Sequence, residues 1–252
     1  MALRRLPSVV TCAALKAELD ASYRFSDVSK LRIVDATWYM PGTVAAERSA
    51  AQDFVTERIT GAVFFDHDAP PFADTATKPG LGHMVPSDAQ WGEAMNELGI
   101  SAETQVVVYD RHGVFSAPRV WWLMQLFGQE KVAVLDGGLP QWRAANLPIE
   151  RGGSPASYRG TVGAASWKAQ REAGVCGLEQ VLELDATEQF VDARPAARFT
   201  GEAPEPRPNC RGGRIAGSTS LVRALTACCI QHPPSLLLLC SLVLLTPESP
   251  RA

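Results

Sequence analysis

Apolar residues along the chain recur in two rhythms. Short apolar runs closed by turn residues read as strands at Leu31–Ala36, Ala62–Asp66, Val106–Tyr109 and Val132–Leu135. Between them lie stretches with helical patterning. Ala45–Arg58 is one, and the N-terminal segment after Thr11 is another, with that threonine as its cap. Ser87 caps a helix that reaches Leu98, with Gly99 as its stop. Ser116-Ala117-Pro118 opens an amphipathic helix that runs to Phe127 and ends at Gly128. Asp136-Gly137-Gly138 turns into a short helix through Trp142, and a Pro- and Gly-rich loop spans Ala69–Pro86. Strands that alternate with helices predict an α/β class with a mainly parallel sheet.

The rhythm fades from Pro148 to Gly174, where Gly, Ser, Pro and Ala dominate and a linker is expected. It then restarts. Phe190-Val191-Asp192-Ala193 echoes Ile33-Val34-Asp35-Ala36, and Gly213–Ser218 echoes Glu57–Ala62. Asp35 precedes Gly61 by 26 residues and Asp192 precedes Gly217 by 25, which points to an internal duplication. The remainder does not resemble the first copy. From 219 to 252 only Arg223, Glu248 and Arg251 carry charge. The apolar run Leu236–Leu245 has ten residues, half the ~20 that a membrane-spanning helix requires. Pro233-Pro234 blocks its backward extension as a helix. The run reads either as a buried strand or as a foreign, aggregation-prone tail.

Composition changes this picture little. The 252 residues are 46% hydrophobic and 20% charged, the balance of an ordinary globular protein with room for a sizeable core. A net charge of -3 argues against nucleic acid or anionic membrane as a partner. The cysteines at 12, 176, 210, 228, 229 and 240 are irregularly spaced, without a CxxC pair, which suits a reducing compartment. The histidines at 67, 83, 112 and 232 are scattered, and no metal site is expected. Arg4 and Arg5, with no acid before Glu18, leave a transit peptide open beside a plain first helix.

The candidate chemistry centres on VVVYDRHGVFSAPRVWW, residues Val106 to Trp122. A strand, a tight loop and a helix N-terminus make an anion cradle, because the loop and first-turn amides lack internal partners. Many enzymes place a nucleophile there; this chain places Asp110. The stretches LRIVDATWYMP, ITGAVFFD, HMVPS, FSAPRVWW, LDGGLPQW, VDARPAARFTGEAPEPR and GRIAGS resemble the two-domain rhodanese-like sulfurtransferases, and within them the 3-mercaptopyruvate sulfurtransferases. The resemblance covers roughly residues 8 to 218 and stops after Ser218.

That resemblance implies tandem rhodanese-like α/β domains with mainly parallel sheets, the second incomplete: 8–148 as a non-catalytic copy, 149–175 as linker, 176–218 as a partial catalytic copy and 219–252 as a divergent tail. It implies a cysteine persulfide that carries sulfane sulfur from 3-mercaptopyruvate, or thiosulfate, to a thiol, cyanide or a thioredoxin-type acceptor. Loop amides and a helix N-terminus would stabilise the thiolate and the anionic persulfide. No cofactor is implied, and neither nucleic acid nor a membrane is expected as a partner. Arg198 and Arg207 would grip the donor's carboxylate, and His83 would face the site from the first domain, with Phe115 and Ser116 lining the same cleft. Asp110 would then be a structural anion in the inactive copy, and Asp35 and Asp192 would tie down turns, with Arg194 paired to Asp192. No catalytic residue is assigned. Cys228 and Cys229 follow Gly217 too closely, and Cys240, although it follows an apolar run, is not followed by glycine. A catalytically inactive binding or regulatory protein of the same fold is the alternative. The compartment expected is the cytoplasm, with the mitochondrion as the second choice.

Overall fold

A computed structural model describes residues 6–24, 30–41, 47–77, 82–152, 167–170, 174–183, 189–206 and 210–221. The chain divides into two compact units, one of Met1–Tyr39 with Glu47–Gln170, the other of Met40–Ala46 with Arg171–Ala252.

The first unit is built on a five-stranded, all-parallel sheet of order β1-β6-β5-β2-β4. Its strands are β1 (Val9–Val10), β2 (Leu31–Asp35), β4 (Val63–Phe64), β5 (Gln105–Tyr109) and β6 (Val132–Leu135). The central strand β5 is buried along its whole length, as a strand covered on both faces should be. Ile33, Val107, Tyr109, Ala133 and Leu135 belong to one core with Phe54, Leu139 and Trp142. Residues of the opposite parity, Val106, Val108, Val132 and Val134, are buried as well. The helices are α1 (Cys12–Arg24), α2 (Ala50–Thr56), α3 (Asp88–Leu98), α4 (Ala117–Leu126) and α5 (Gly138–Ala144). Trp91 of α3 stacks on Phe127 at the end of α4, with ring centres 4.5 Å apart.

Local signals placed several helix ends as expected. Thr11 accepts from the Ala14 amide at 3.3 Å. Ser87 and Gln90 form a reciprocal capping box, and Gly99 closes α3 in the left-handed conformation. The helix expected over Ala45–Arg58 is shorter: Ser49 caps it and it ends at Thr56. The cause is Arg58. It sits in a two-residue strand β3 (Arg58–Ile59), antiparallel to β7 (Ile149–Glu150). Its buried guanidinium donates back to the carbonyls of Phe54 at 3.3 Å and Val55 at 3.5 Å, and pairs with Glu150. Part of the stretch read as linker therefore packs on the first unit. Gly152 donates to Val55, and Gln170 donates to Leu126 at 2.8 Å.

The second unit contains α6 (Leu178–Glu183), β8 (Val191–Asp192), α7 (Ala196–Thr200) and β9 (Thr219–Ser220). The duplication is visible in its pairing. Val34 and Asp35 pair in parallel with Val63 and Phe64, and Val191 and Asp192 pair in parallel with Thr219 and Ser220. Phe65 donates to the Asp35 carbonyl and Leu221 to that of Asp192, both at 2.9 Å. Asp35 Oδ1 accepts from the Thr37 amide as Asp192 Oδ1 accepts from the Arg194 amide. Gly61 and Gly217 hold nearly equal positive φ, 77° and 79°.

Candidate functional site

In an open parallel sheet, ligands bind beyond the carboxyl ends of the strands where the strand order reverses. Here that point lies between β2 and β5, because β2 leads outward to β4 and β5 leads the other way to β6. Segments following β2, β4 and β5 meet there. The Ala36 amide donates to the Tyr109 carbonyl at 2.8 Å, and the Trp38 indole donates to Asp68 at 2.8 Å.

Asp110 follows β5 and is fully buried. Its Oδ2 accepts from the amides of Phe115 at 2.6 Å, Ser116 at 2.9 Å and Ala117 at 3.0 Å; its Oδ1 accepts from His112 at 2.9 Å. The carboxylate thus occupies the cradle that the sequence located. It also caps α4, since Ser116, expected as the cap, has a helical backbone and makes no side-chain cap bond. The run Leu135-Asp136-Gly137-Gly138 closes the cradle from below. Leu139 donates to the Asp110 carbonyl at 2.9 Å, and a Cβ on Gly138, whose φ is +51°, would collide with the carbonyls of Asp110 and Gly113. Only glycine lets the two loops approach so closely.

Above this floor lies an aromatic and imidazole layer. Trp38 stacks parallel to Phe115 at 6.4 Å and meets the edge of His83 at 4.7 Å. His83 Nδ1 lies 3.1 Å from both the His67 carbonyl and Asp68 Oδ1, so that nitrogen carries the proton. His67 is buried, its Nε2 lies 2.8 Å from the Ala36 carbonyl, and its Nδ1 faces Arg119 Nη1 at 3.5 Å. A carbonyl on one side and a guanidinium on the other fix the neutral Nε2–H tautomer. Burial, and secondly the Arg119 charge, pushes the His67 pKa down to about 3. Burial also lowers the Arg119 pKa, to about 10, against the favourable charge of Asp68. Arg119 in turn donates to the His83 carbonyl.

Beneath the floor, Asp35 is buried against Tyr109 and Thr37. Burial raises its pKa, and hydrogen bonds from Thr37 and Tyr109 oppose that rise. In the second unit, Asp192 takes a two-pronged contact from Arg194, Nε to Oδ1 at 2.9 Å and Nη2 to Oδ2 at 2.6 Å. That hydrogen bonding holds the Asp192 carboxyl below its ordinary range.

Of the residues singled out for donor binding, His83 lies in the first unit and is half-buried. Arg198 lies in α7, where Glu205 holds it by an ion pair while also pairing with Arg194 at 2.7 Å. Arg207 lies outside the described residues. Sequence reasoning passed over Trp38, His67, Asp68, Arg119 and Glu205. Each lies inside or beside a stretch quoted above, but their convergence depends on contacts between segments far apart in sequence.

This parallel α/β unit, with a strand, anion-cradle loop and helix at its switch point, has the rhodanese fold. The Rhodanese-like domain family matches residues 28–145. The 3-mercaptopyruvate sulfurtransferase of Rattus norvegicus is 39% identical over 226 residues, which span 88% of this chain and 71% of that protein. The mitochondrial thiosulfate/3-mercaptopyruvate sulfurtransferase 1 of Arabidopsis thaliana is 40% identical over 206 residues, 75% of this chain and 52% of that protein. The crystal structure of the Escherichia coli 3-mercaptopyruvate sulfotransferase SseA aligns with a TM-score of 0.66 and 33% identity, covering 86% of this chain and 75% of that one. The chain belongs to the rhodanese-like sulfurtransferases. No helix among the described residues is long and apolar enough to cross a membrane.

Proposed function

We propose that the chain serves sulfur transfer with 3-mercaptopyruvate as the donor, and that its first unit is the non-catalytic copy. The observation behind this reading is the Asp110 carboxylate, which fills the cradle with four amides. A carboxylate there cannot become a persulfide, so the chemistry falls to the second unit. The donor's carboxylate would meet the guanidinium forks of Arg198 and Arg207, with Glu205 orienting Arg198. A cysteine thiolate would attack the donor's sulfur and displace the enolate of pyruvate (sulfite, with thiosulfate), leaving a persulfide whose outer sulfur passes to a thiol, cyanide or a thioredoxin-type acceptor as the thiolate is released. Thiosulfate is the second donor. The irregular cysteine usage suits a reducing compartment, read as the cytoplasm with the mitochondrion as the alternative.

A second reading, an inactive binding protein of this fold, is favoured by the cysteines themselves. None of the six stands in a sequence that repeats the loop after Asp110. Intact mass after mixing the purified chain with 3-mercaptopyruvate, followed by peptide mapping, separates the two. A gain of one sulfur on a single cysteine supports transfer. No gain, with the donor retained in equilibrium dialysis, supports binding without turnover. Neither gain nor retention sinks both readings.

A further inference from the structure

The turns after β2 and β8 are built alike, but the second carries a side chain that the turn itself does not need. In the first copy Thr37 supplies the amide that Asp35 accepts. In the second that amide belongs to Arg194. The Arg194 guanidinium then reaches three further acceptors. Nε and Nη2 meet the two oxygens of Asp192 at 2.9 and 2.6 Å. Nη2 also donates to the Gly213 carbonyl at 2.6 Å, and Nη1 donates to Glu205 Oε1 at 2.7 Å. Glu205 gives its other oxygen to Arg198. Among the described residues Glu205 is the one acceptor for the Arg198 guanidinium, whose Nε is buried with no acceptor of its own. The orientation of Arg198 therefore hangs on Glu205, that of Glu205 on Arg194, and that of Arg194 on the end of β8 and the loop at Gly213.

We propose that Arg194 is a positioning residue for Arg198: acting through Glu205, it sets the plane and the charge of the donor-binding guanidinium without touching the donor. The proposal rests on the reading of Arg198 as a donor contact. Geometry supports it first. A glutamate held at one oxygen swings on its flexible stem and takes its partner with it. Glu205 is held at both oxygens by opposed guanidinium groups, which fixes its plane. A guanidinium is a rigid fork, so fixing Arg198 at Nη2 fixes the directions of its remaining donors. Charge supports it next. The carboxylates of Asp192 and Glu205 cancel the guanidinium charges of Arg194 and Arg198. Without Arg194 the cluster carries a net negative charge beside the group that is to meet an anion. Glu205, left with one partner, then competes with the donor for Arg198. The first copy, which the Asp110 carboxylate closes to this chemistry, has threonine at the equivalent place.

The test uses the full chain and 3-mercaptopropionate, which has the donor's carboxylate and thiol but no carbonyl to stabilise the carbon that sulfur transfer leaves behind. It therefore binds without turnover. In equilibrium dialysis its affinity is expected to fall about tenfold in Arg194→Gln and roughly threefold in Arg194→Lys, which keeps the charge but loses the fork. The NMR signals of the Arg198 guanidinium report its positioning with no ligand present. Its restricted rotation is expected to be lost in both variants, while the amides of β8 and β9 keep their shifts. Where Arg194→Gln fails to fold, the milder Arg194→Lys carries the test. Unchanged Arg198 rotation in Arg194→Lys overturns the proposal, and so does released rotation with unchanged affinity. Arg198→Met tells this failure from that of the donor reading. Affinity that survives in Arg198→Met means that the donor does not meet Arg198, and both fall. Affinity lost there but kept in the Arg194 variants removes the positioning role alone.

Discussion

Asp35 and Asp192 hold the same place in two copies of one turn, yet their surroundings push them in opposite directions. Both accept from the amide two residues on, and both belong to a two-residue parallel pairing with the next strand. Asp35 lies under a complete sheet, so burial raises its pKa, while the amide and hydroxyl of Thr37 both donate to its Oδ1. Asp192 lies in a less covered unit, where Arg194 reaches it in two places and keeps it ionised. The two turns therefore share a backbone pattern and differ in the chemistry placed on it. One copy satisfies its acid by neutral hydrogen bonds in a dry interior, the other by an ion pair near solvent. A dry carboxyl stabilises the fold in its protonated form, and an ion-paired one in its charged form.

The contrast between the copies can be broken most strongly at Asp110, which holds the cover of the first turn in place. Asp110→Ala leaves four amides without an acceptor at the start of α4. A loss of about 3 kcal/mol is expected in urea unfolding of the first unit, because hydrogen bonds to a charged group exceed neutral ones and unmade ones are costly. Asp110→Asn, which keeps one carbonyl oxygen, should recover roughly half of that loss. If Asp110→Ala unfolds at the unmodified midpoint, the carboxylate is not what holds the cradle.

A middle-sized effect belongs to His67. Its folded pKa of about 3 is below its ordinary value, so the unfolded chain binds a proton that the folded chain refuses. The first unit should lose stability as pH falls from about 6.5 towards about 3, approaching about 1.4 kcal/mol per pH unit. His67→Gln should flatten that acid limb. At the matching count in the second copy, four residues after Thr219, stands Arg223 rather than a histidine. An unchanged acid limb in the variant would mean that His67 protonates in place.

The smallest effect is the most direct test of the two turns. Asp35 has a raised folded pKa, so its contribution is full below the ordinary carboxylate value and is lost as pH rises through the folded one. Asp192 has a depressed pKa, so its contribution is full above the ordinary value and is lost as pH falls through the folded one. Relative to the unmodified chain, Asp35→Asn should therefore improve with rising pH. Asp192→Asn should worsen, by less than about 1 kcal/mol given its solvent access. Thermal melts between pH 3 and 7, read separately for each unit by exchange of its own amides, give the signs. Equal signs would erase the distinction drawn between the copies.

Much of this was legible in the sequence where the signal is local. The capping box at Ser87 and Gln90, the left-handed Gly99, and the strand from Val106 to Tyr109 all depend on residues within a few positions of one another. The duplication was legible because a matched pair of landmarks needs only counting. Long-range contacts were not. Arg58 looked like the last residue of a helix because its partners, Glu150 and Gly152, lie some ninety positions away in a stretch that reads as linker. Val9–Val10 were missed as a strand because two residues carry no period. His83 was found through its motif, but Asp68, His67 and Arg119 around it come from two other segments. Ser116 carried the commonest cap signature, and the cap came instead from an acid six residues earlier.

The Asp110 cradle has one further implication, for competition. A carboxylate joined to its own receptor by a few bonds is present there at an effective concentration that no dissolved anion matches. Thiosulfate, sulfite or a carboxylate substrate would each have to expel a ligand that never diffuses away. The first unit is in this sense permanently inhibited by a group it encodes. Its cradle amides are already taken, and a dissolved anion finds none of those four donors open.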